Sequence, residues 1–142
     1  MNMQQESLGF LLADASRLMR RAFQRQLDGS CLTLAQARAL IHVSRHEGVR
    51  QIDLAELLEV QPITLARLID QLAENGLVER RPDPTDRRAY QIFLTSKATP
   101  HLAEIKRVAK AIREDVLCDL TASETTRFLM TLSHLRDKLA AY

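Results

Sequence analysis

The sequence predicts a mainly α-helical fold that carries one small β-hairpin. Two observations lead there. Apolar residues recur at three- and four-residue steps through most of the 142 residues, the period of amphipathic helices. Two short runs, Leu77 to Arg81 and Tyr90-Ile92-Leu94, read instead as strands on either side of a turn rich in proline and aspartate.

Leu8, Leu11, Leu12, Ala15, Leu18, Met19, Ala22, Phe23 and Leu27 outline a long first helix closing near Asp28-Gly29. Thr33 caps a second helix with Ala37, Leu40, Ile41 and Val43 inward. After a loop at His46-Glu47-Gly48, residues 51–58 form a short third helix, broken at Val60-Gln61-Pro62. Pro62 suits the first position of a fourth helix, where its missing N–H costs nothing. That helix buries Leu65, Leu68, Ile69 and Leu72 and stops at Asn75-Gly76, glycine accepting a left-handed cap. Two prolines make 82–86 a turn between the strands. Ser96 opens a further helix in which Ala98, Leu102, Ile105, Ala109, Ile112 and Val116 form a heptad-like seam. Thr121 and Glu124 make a capping-box pattern for the last helix, with Phe128, Leu129, Leu132, Leu135 and Leu139 inward.

Apolar residues make up 46% of the chain and aromatics only 4%, so the core is expected to be aliphatic. No apolar run approaches the roughly 20 residues that span a bilayer. The start, MNMQQESLGF, lacks the basic and apolar regions of a secretory signal, and the expectation is a cytoplasmic protein with no membrane partner. A net charge of +2 is weak support for a nucleic-acid partner, but 16 of the 20 basic residues are arginine. Arginine's planar fork suits phosphates and guanine edges, so placement has to decide.

The tight break at Val60-Gln61 gives the third and fourth helices the spacing of a helix-turn-helix. With Leu65, Leu68, Ile69 and Leu72 inward, the fourth helix presents Gln61, Ile63, Thr64, Ala66, Arg67 and Gln71 outward, behind Pro62. Such residues near a helix N-terminus meet base edges while free N–H groups favour phosphate. The hairpin places Arg80, Arg81, Arg87 and Arg88 around one turn, where Asp86 can bond the turn backbone and brace a guanidinium. Between residues 60 and 95 the five arginines are matched by Asp70, Glu74, Glu79, Asp83 and Asp86. A DNA-facing surface therefore needs the acids turned away, Asp70 and Glu74 above all.

At these residues the chain resembles the MarR family of winged helix-turn-helix transcription regulators. The likeness is carried by Leu54-Ala55-Glu56-Leu57-Leu58, by Val60 through Asp70, by Gly76-Leu77-Val78-Glu79-Arg80, by Asp83-Pro84-Thr85-Asp86-Arg87-Arg88 and by Leu94-Thr95. Residues 94–102 look most like the SlyA branch. The resemblance implies a winged helix-turn-helix flanked by long dimerisation helices: an N-terminal dimerisation helix (1–32), a DNA-binding lobe (33–95) and C-terminal dimerisation helices (96–142). It implies a homodimer on a pseudo-palindromic double-stranded operator, acting as a repressor, with a ligand-responsive cleft. The DNA contacts expected are Gln61, Pro62, Ile63, Thr64, Arg67, Gln71, Asp86, Arg87 and Arg88. Two positions depart from the family's habit: Ala66 replaces a frequent hydroxyl residue, and Ile63 a frequent small polar one. Operator sequence therefore does not carry over from a relative.

Arg17, Arg21 and Arg25 repeat every four residues, with Arg20 beside them, either as a solvated basic face or as an anion site. In the second case Arg17 and Arg21 are the expected partners of a small aromatic carboxylate effector. His42 and His46 share a face, but no third ligand at metal spacing accompanies them, and no metal or cofactor is expected. Cys31 and Cys118 form no CxxC pair and read as small buried or semi-buried thiols, a redox-sensing regulator being the sharper alternative. Motifs for serine hydrolases, zinc peptidases, phosphate loops and dinucleotide sites are absent, which argues against an enzyme. A winged module used for protein contacts without specific DNA binding is the remaining alternative.

Overall fold

A computed structural model describes residues 7–142, so residues 1–6, the start of the segment read above for a secretory signal, lie outside it. The described residues hold six helices and a three-stranded sheet. In chain order these are α1 (Leu8–Leu27), α2 (Leu34–Arg45), β1 (Val49–Arg50), α3 (Gln51–Leu57), α4 (Pro62–Glu74), β2 (Val78–Pro82), β3 (Tyr90–Leu94), a 3-10 turn (Ser96–Ala98), α5 (Thr99–Val116) and α6 (Ala122–Leu139). The sheet runs β1-β3-β2, antiparallel throughout, with Val49 opposite Ile92 and Arg80 opposite Ile92 across the other edge. No helix among the described residues is long and apolar enough to cross a membrane. The chain divides into two compact units, one ending at Ala109 and one from Lys110 to Tyr142.

Local chemistry sets the helix boundaries. Thr33 Oγ1 accepts from the Gln36 N–H while the Gln36 side chain accepts from the Thr33 N–H, and Thr121 and Glu124 make the same reciprocal cap. Each such cap contributes about 1 kcal/mol. Pro62 stands at the start of α4. At its end Gly76 takes a φ of 75°, the Gly76 N–H donates to Ala73 and the Leu77 N–H to Leu72. These two bonds satisfy carbonyls the helix would otherwise leave open.

In the first unit the core is aliphatic. Leu40 and Val43 of α2, Leu54 of α3, Leu65, Ile69 and Leu72 of α4, and Ile92 of β3 are all fully buried. Burying each such side chain contributes roughly 1.5–3 kcal/mol. Ile41 and Leu68, expected inward, are only half-buried, whereas Ala39 is fully enclosed. Strand β1 was not foreseen because two residues are too short to show a period. It forms where Gly48, at φ 83°, turns the chain back onto β3, and a Cβ there would meet the Phe93 ring at 3.2 Å.

The long helices leave much of their apolar faces uncovered. In α1 only Leu27 is buried, and Leu8, Phe10, Leu11, Leu18 and Met19 are exposed. The seam of α5 is displaced: Ala98, Ile105, Val108 and Ile112 are buried, while Ala109 and Val116 are exposed. No residue of α6 is buried; Phe128, Leu129 and Leu139, expected inward, lie exposed, and Leu132 and Leu135 are half-covered. Amphipathic spacing names a sticky face but not what covers it. Both cysteines, expected to be at least partly buried, are exposed and unpaired.

The turn between α3 and α4 has a feature that the sequence conceals. Glu59 adopts φ 55° without being glycine, and the same two capping bonds form there, Glu59 N–H to Glu56 and Val60 N–H to Ala55. A left-handed L-residue costs roughly 1–2 kcal/mol. Glu59→Gly trades that strain against glycine's greater freedom in the unfolded chain, so its unfolding free energy in urea should stay within about 1 kcal/mol of wild type. Glu59→Val, β-branched at a positive φ, should lose about 1–2 kcal/mol. Equal stability of the valine variant would show that the turn does not hold this conformation.

Candidate nucleic-acid interface

The buried row Leu65, Ile69 and Leu72 fixes which side of α4 faces outward. Gln61, Pro62, Ile63, Thr64, Arg67 and Gln71 are all exposed, and Ala66 is half-covered. Gln61 makes no side-chain cap, and the first turn of α4 holds no acid, so its N–H groups and positive dipole end stay open toward an anion. Gln71 also accepts a hydrogen bond, at 3.4 Å, from Gln36 of α2. An exposed helix N-terminus with glutamine, threonine and arginine at hand offers donors and acceptors for base edges and phosphate alike.

The hairpin tip is organised by Asp83, whose side chain is 3% exposed. Its carboxylate accepts from the Thr85 N–H at 2.8 Å, from the Thr85 hydroxyl at 2.7 Å and from Arg50 Nε at 2.8 Å. Those bonds to Thr85, with the charge of Arg50 also helping against the cost of burial, hold the Asp83 carboxyl below its usual range. The Asp83 N–H donates to the Ala89 carbonyl and closes the base of the tip. Asp86 accepts from the Arg88 N–H at 2.9 Å, as expected for a turn aspartate. Arg50 was not singled out from the sequence. Its clue was a basic residue at the start of a helix, which says nothing of a partner 33 positions away.

The four hairpin arginines do not act together. Arg87 and Arg88 are exposed, and neither belongs to an ion pair among the described residues. Arg81 pairs with Glu79 and lies over the Phe93 ring, 3.9 Å from its centroid. Arg80 turns inward and pairs with Asp70 at 2.6 Å. With Asp70, Glu79 and Asp83 engaged, the segment 60–95 keeps Arg67, Arg87 and Arg88 unpaired against Glu74 and the turn-bound Asp86. Between tip and helices lies a groove of about 310 Å³, lined among others by Arg50, Ile52, Pro62, Arg88 and Tyr90.

The other candidates are dispersed. Arg17 and Arg21 lie on the exposed face of α1, Arg17 within 3.4 Å of Asp14, and Arg20 bonded to Ser16 at 2.7 Å. His42 has Nδ1 buried without a hydrogen-bond partner. Burial, then Arg38, Arg45 and His46, push its pKa down, so it is neutral at neutral pH. No cluster of three metal-ligating side chains occurs among the described residues.

Comparison with known proteins agrees with this geometry. The model of the MarR family matches residues 32–90. The solved structure of the transcriptional regulator PA3341 is 36% identical, with 96% of this chain and 100% of that one covered, at a TM-score of 0.81. A crystal structure of MarR is 28% identical over 99% of this chain and 95% of its own, with a TM-score of 0.87. A mutant MarR from E. coli complexed with operator DNA is 26% identical over 93% and 92% of the two chains, with a TM-score of 0.71.

The anchoring of Asp83 predicts a pH signature. Its folded pKa lies below the unfolded value, so its contribution is complete above the ordinary aspartate range and is lost as pH falls through the folded pKa. Asp83→Asn should be less stable than wild type at neutral pH, and the gap should close between about pH 5 and about pH 2. The variant's tip should also be cut faster by trypsin after Arg87 or Arg88. A gap constant across that range would remove the carboxylate charge from the account.

Proposed function

Because the chain belongs to the MarR family, whose members are transcription regulators rather than enzymes, we propose that it binds duplex DNA as a homodimer and represses transcription from a pseudo-palindromic operator. The carrying observation is the pairing of an uncapped, exposed α4 N-terminus with a hairpin tip that offers two unpaired arginines. In this reading α4 enters the major groove, with Gln61, Pro62, Ile63, Thr64, Arg67 and Gln71 toward the bases and nearby phosphates. Arg87 and Arg88, held by the Asp86 turn, reach the adjacent backbone or minor groove. Arg67 can bond guanine in a fork, and Ile63 offers apolar contact to a thymine methyl.

Exposed apolar side chains on α1 and on α6 support the homodimer, since a second copy would bury them. Two half-sites about 10 base pairs apart would then meet the two α4 helices. Regulation in this reading comes from a small aromatic carboxylate, with Arg17 and Arg21 of α1 as its anion partners. Such an effector must bind the operator-incompetent state more tightly than the competent one. The likeness of residues 94–102 supports a SlyA-like branch, and the place of action is the cytoplasm.

Selection of duplexes from a random-sequence pool tests the DNA reading, with saturation expected at two chains per duplex. Arg87→Ala should weaken binding to the selected duplex and to unrelated duplexes alike and make the slope of log K against log salt shallower by about 0.9. Arg67→Ala should relax sequence preference while leaving non-specific binding. Unchanged affinity at every salt concentration would remove the hairpin tip from the interface, and an unaltered preference would remove Arg67 from base reading. For regulation, calorimetry with a panel of small aromatic acids should show binding that Arg17→Ala and Arg21→Ala weaken. Absence of heat at millimolar concentration would sink the effector assignment.

A further inference from the structure

Strand parity places Arg80 where a charged side chain is least expected. Val78 of β2 faces the core, Glu79 faces out, and Arg80 faces in again, opposite the fully buried Ile92. Its side chain is 25% exposed. An inward cation is tolerated only when its donors find partners. Arg80 Nε donates to the Gln51 amide oxygen at 2.8 Å, Nη2 to the Ala66 carbonyl at 2.9 Å, and Nη1 pairs with Asp70 at 2.6 Å. Gln51 is the first residue of α3, while Ala66 and Asp70 lie one turn apart on α4. One guanidinium thus ties the sheet to both helices of the helix-turn-helix.

We propose that Arg80 is a specificity-determining positioning residue: without touching DNA, it sets the rotation and height of α4 relative to the hairpin. The Ala66 carbonyl it holds belongs to the residue just before Arg67, so the clamp grips the turn from which the base-reading side chain projects. The same strand continues to Pro82 and the tip bearing Arg87 and Arg88. Helix and tip are therefore spaced by one rigid connection, and a duplex engaging both must match that spacing. Lysine cannot substitute, since one ammonium offers no fork to reach an amide, a carbonyl and a carboxylate together. Asp70, occupied by Arg80, is at the same time kept from repelling phosphate.

This assignment rests on the DNA-binding reading, and the experiment separates the two. Kd is measured over a series of salt concentrations for wild type, Arg80→Lys, Asp70→Asn and the double variant. The probes are the duplex that wild type selects from a random-sequence pool and an unrelated duplex of equal length. Arg80→Lys should lower the ratio of specific to non-specific affinity by about tenfold or more, with the salt slope unchanged. Asp70→Asn should lower that ratio less, and adding it to Arg80→Lys should cost little more, because both break one clamp. A salt slope shallower by about one would make Arg80 a phosphate contact and overturn the assignment. So would an equal loss on both duplexes, the mark of a smaller folded fraction, or fully additive losses. Should Arg80→Lys fail to fold, Asp70→Asn alone decides, and an unchanged ratio there overturns the proposal. A wild type that enriches no sequence overturns the DNA reading itself, whatever the variants do.

Discussion

Burial of Leu65, Ile69 and Leu72 without residual exposure fixes the rotation of α4 about its own axis, and the outer face follows from that rotation. A helix turns by 3.6 residues, so three buried side chains at this spacing leave little angular freedom. Ala66, Leu68 and Ala73 lie half-covered at its flanks, and the other positions of the helix are exposed. Gly76 ends the helix in a left-handed cap and delivers the chain to β2, which returns an arginine to the same helix. The packing row sets the angle, and the Arg80 contacts hold the helix against the sheet.

Charge is distributed by pairing rather than by composition. The segment from 60 to 95 is neutral in sequence, yet its acids are not equivalent. Asp70 is drawn to Arg80, Glu79 to Arg81, and Asp83 to Arg50 and Thr85. Arg67, Arg87 and Arg88 are left over, on the faces from which the proposed operator contacts come. Exposed ion pairs contribute little to stability, so their value lies in which arginines they occupy and which they leave free.

Features written in local chemistry were legible in the sequence. The caps at Thr33 and Thr121, Pro62 opening α4, the Gly76 stop and the hairpin needed only neighbouring residues to be recognised. Features made by distant pairs were not. Arg80 reads as one more hairpin cation until strand parity turns it inward, and the Arg50–Asp83 contact joins residues 33 positions apart. Glu59 occupies a backbone region where sequence reading looks for glycine. On α1 and α6 the spacing shows an apolar face in each helix, but the inward placement expected for α6 does not follow from it, because periodicity carries no information on what lies against a face. The outer residues of α4 proposed to meet DNA follow by elimination from the buried ones, and their exposed placement obeys the same logic.

The bond from the Asp83 N–H to the Ala89 carbonyl has a bearing on which tip positions tolerate replacement. It closes the hairpin tip at its neck, and the bonds of Asp83 to Thr85 and of the Ala89 N–H to the Asp86 carbonyl pin the loop 84–88 from within. The side chains of Pro84, Arg87 and Arg88 take no part in those bonds, so their replacement leaves the register of Val78 through Pro82 against Tyr90 through Leu94 in place. The neck separates a tip whose side chains face solvent from the paired strands that carry it.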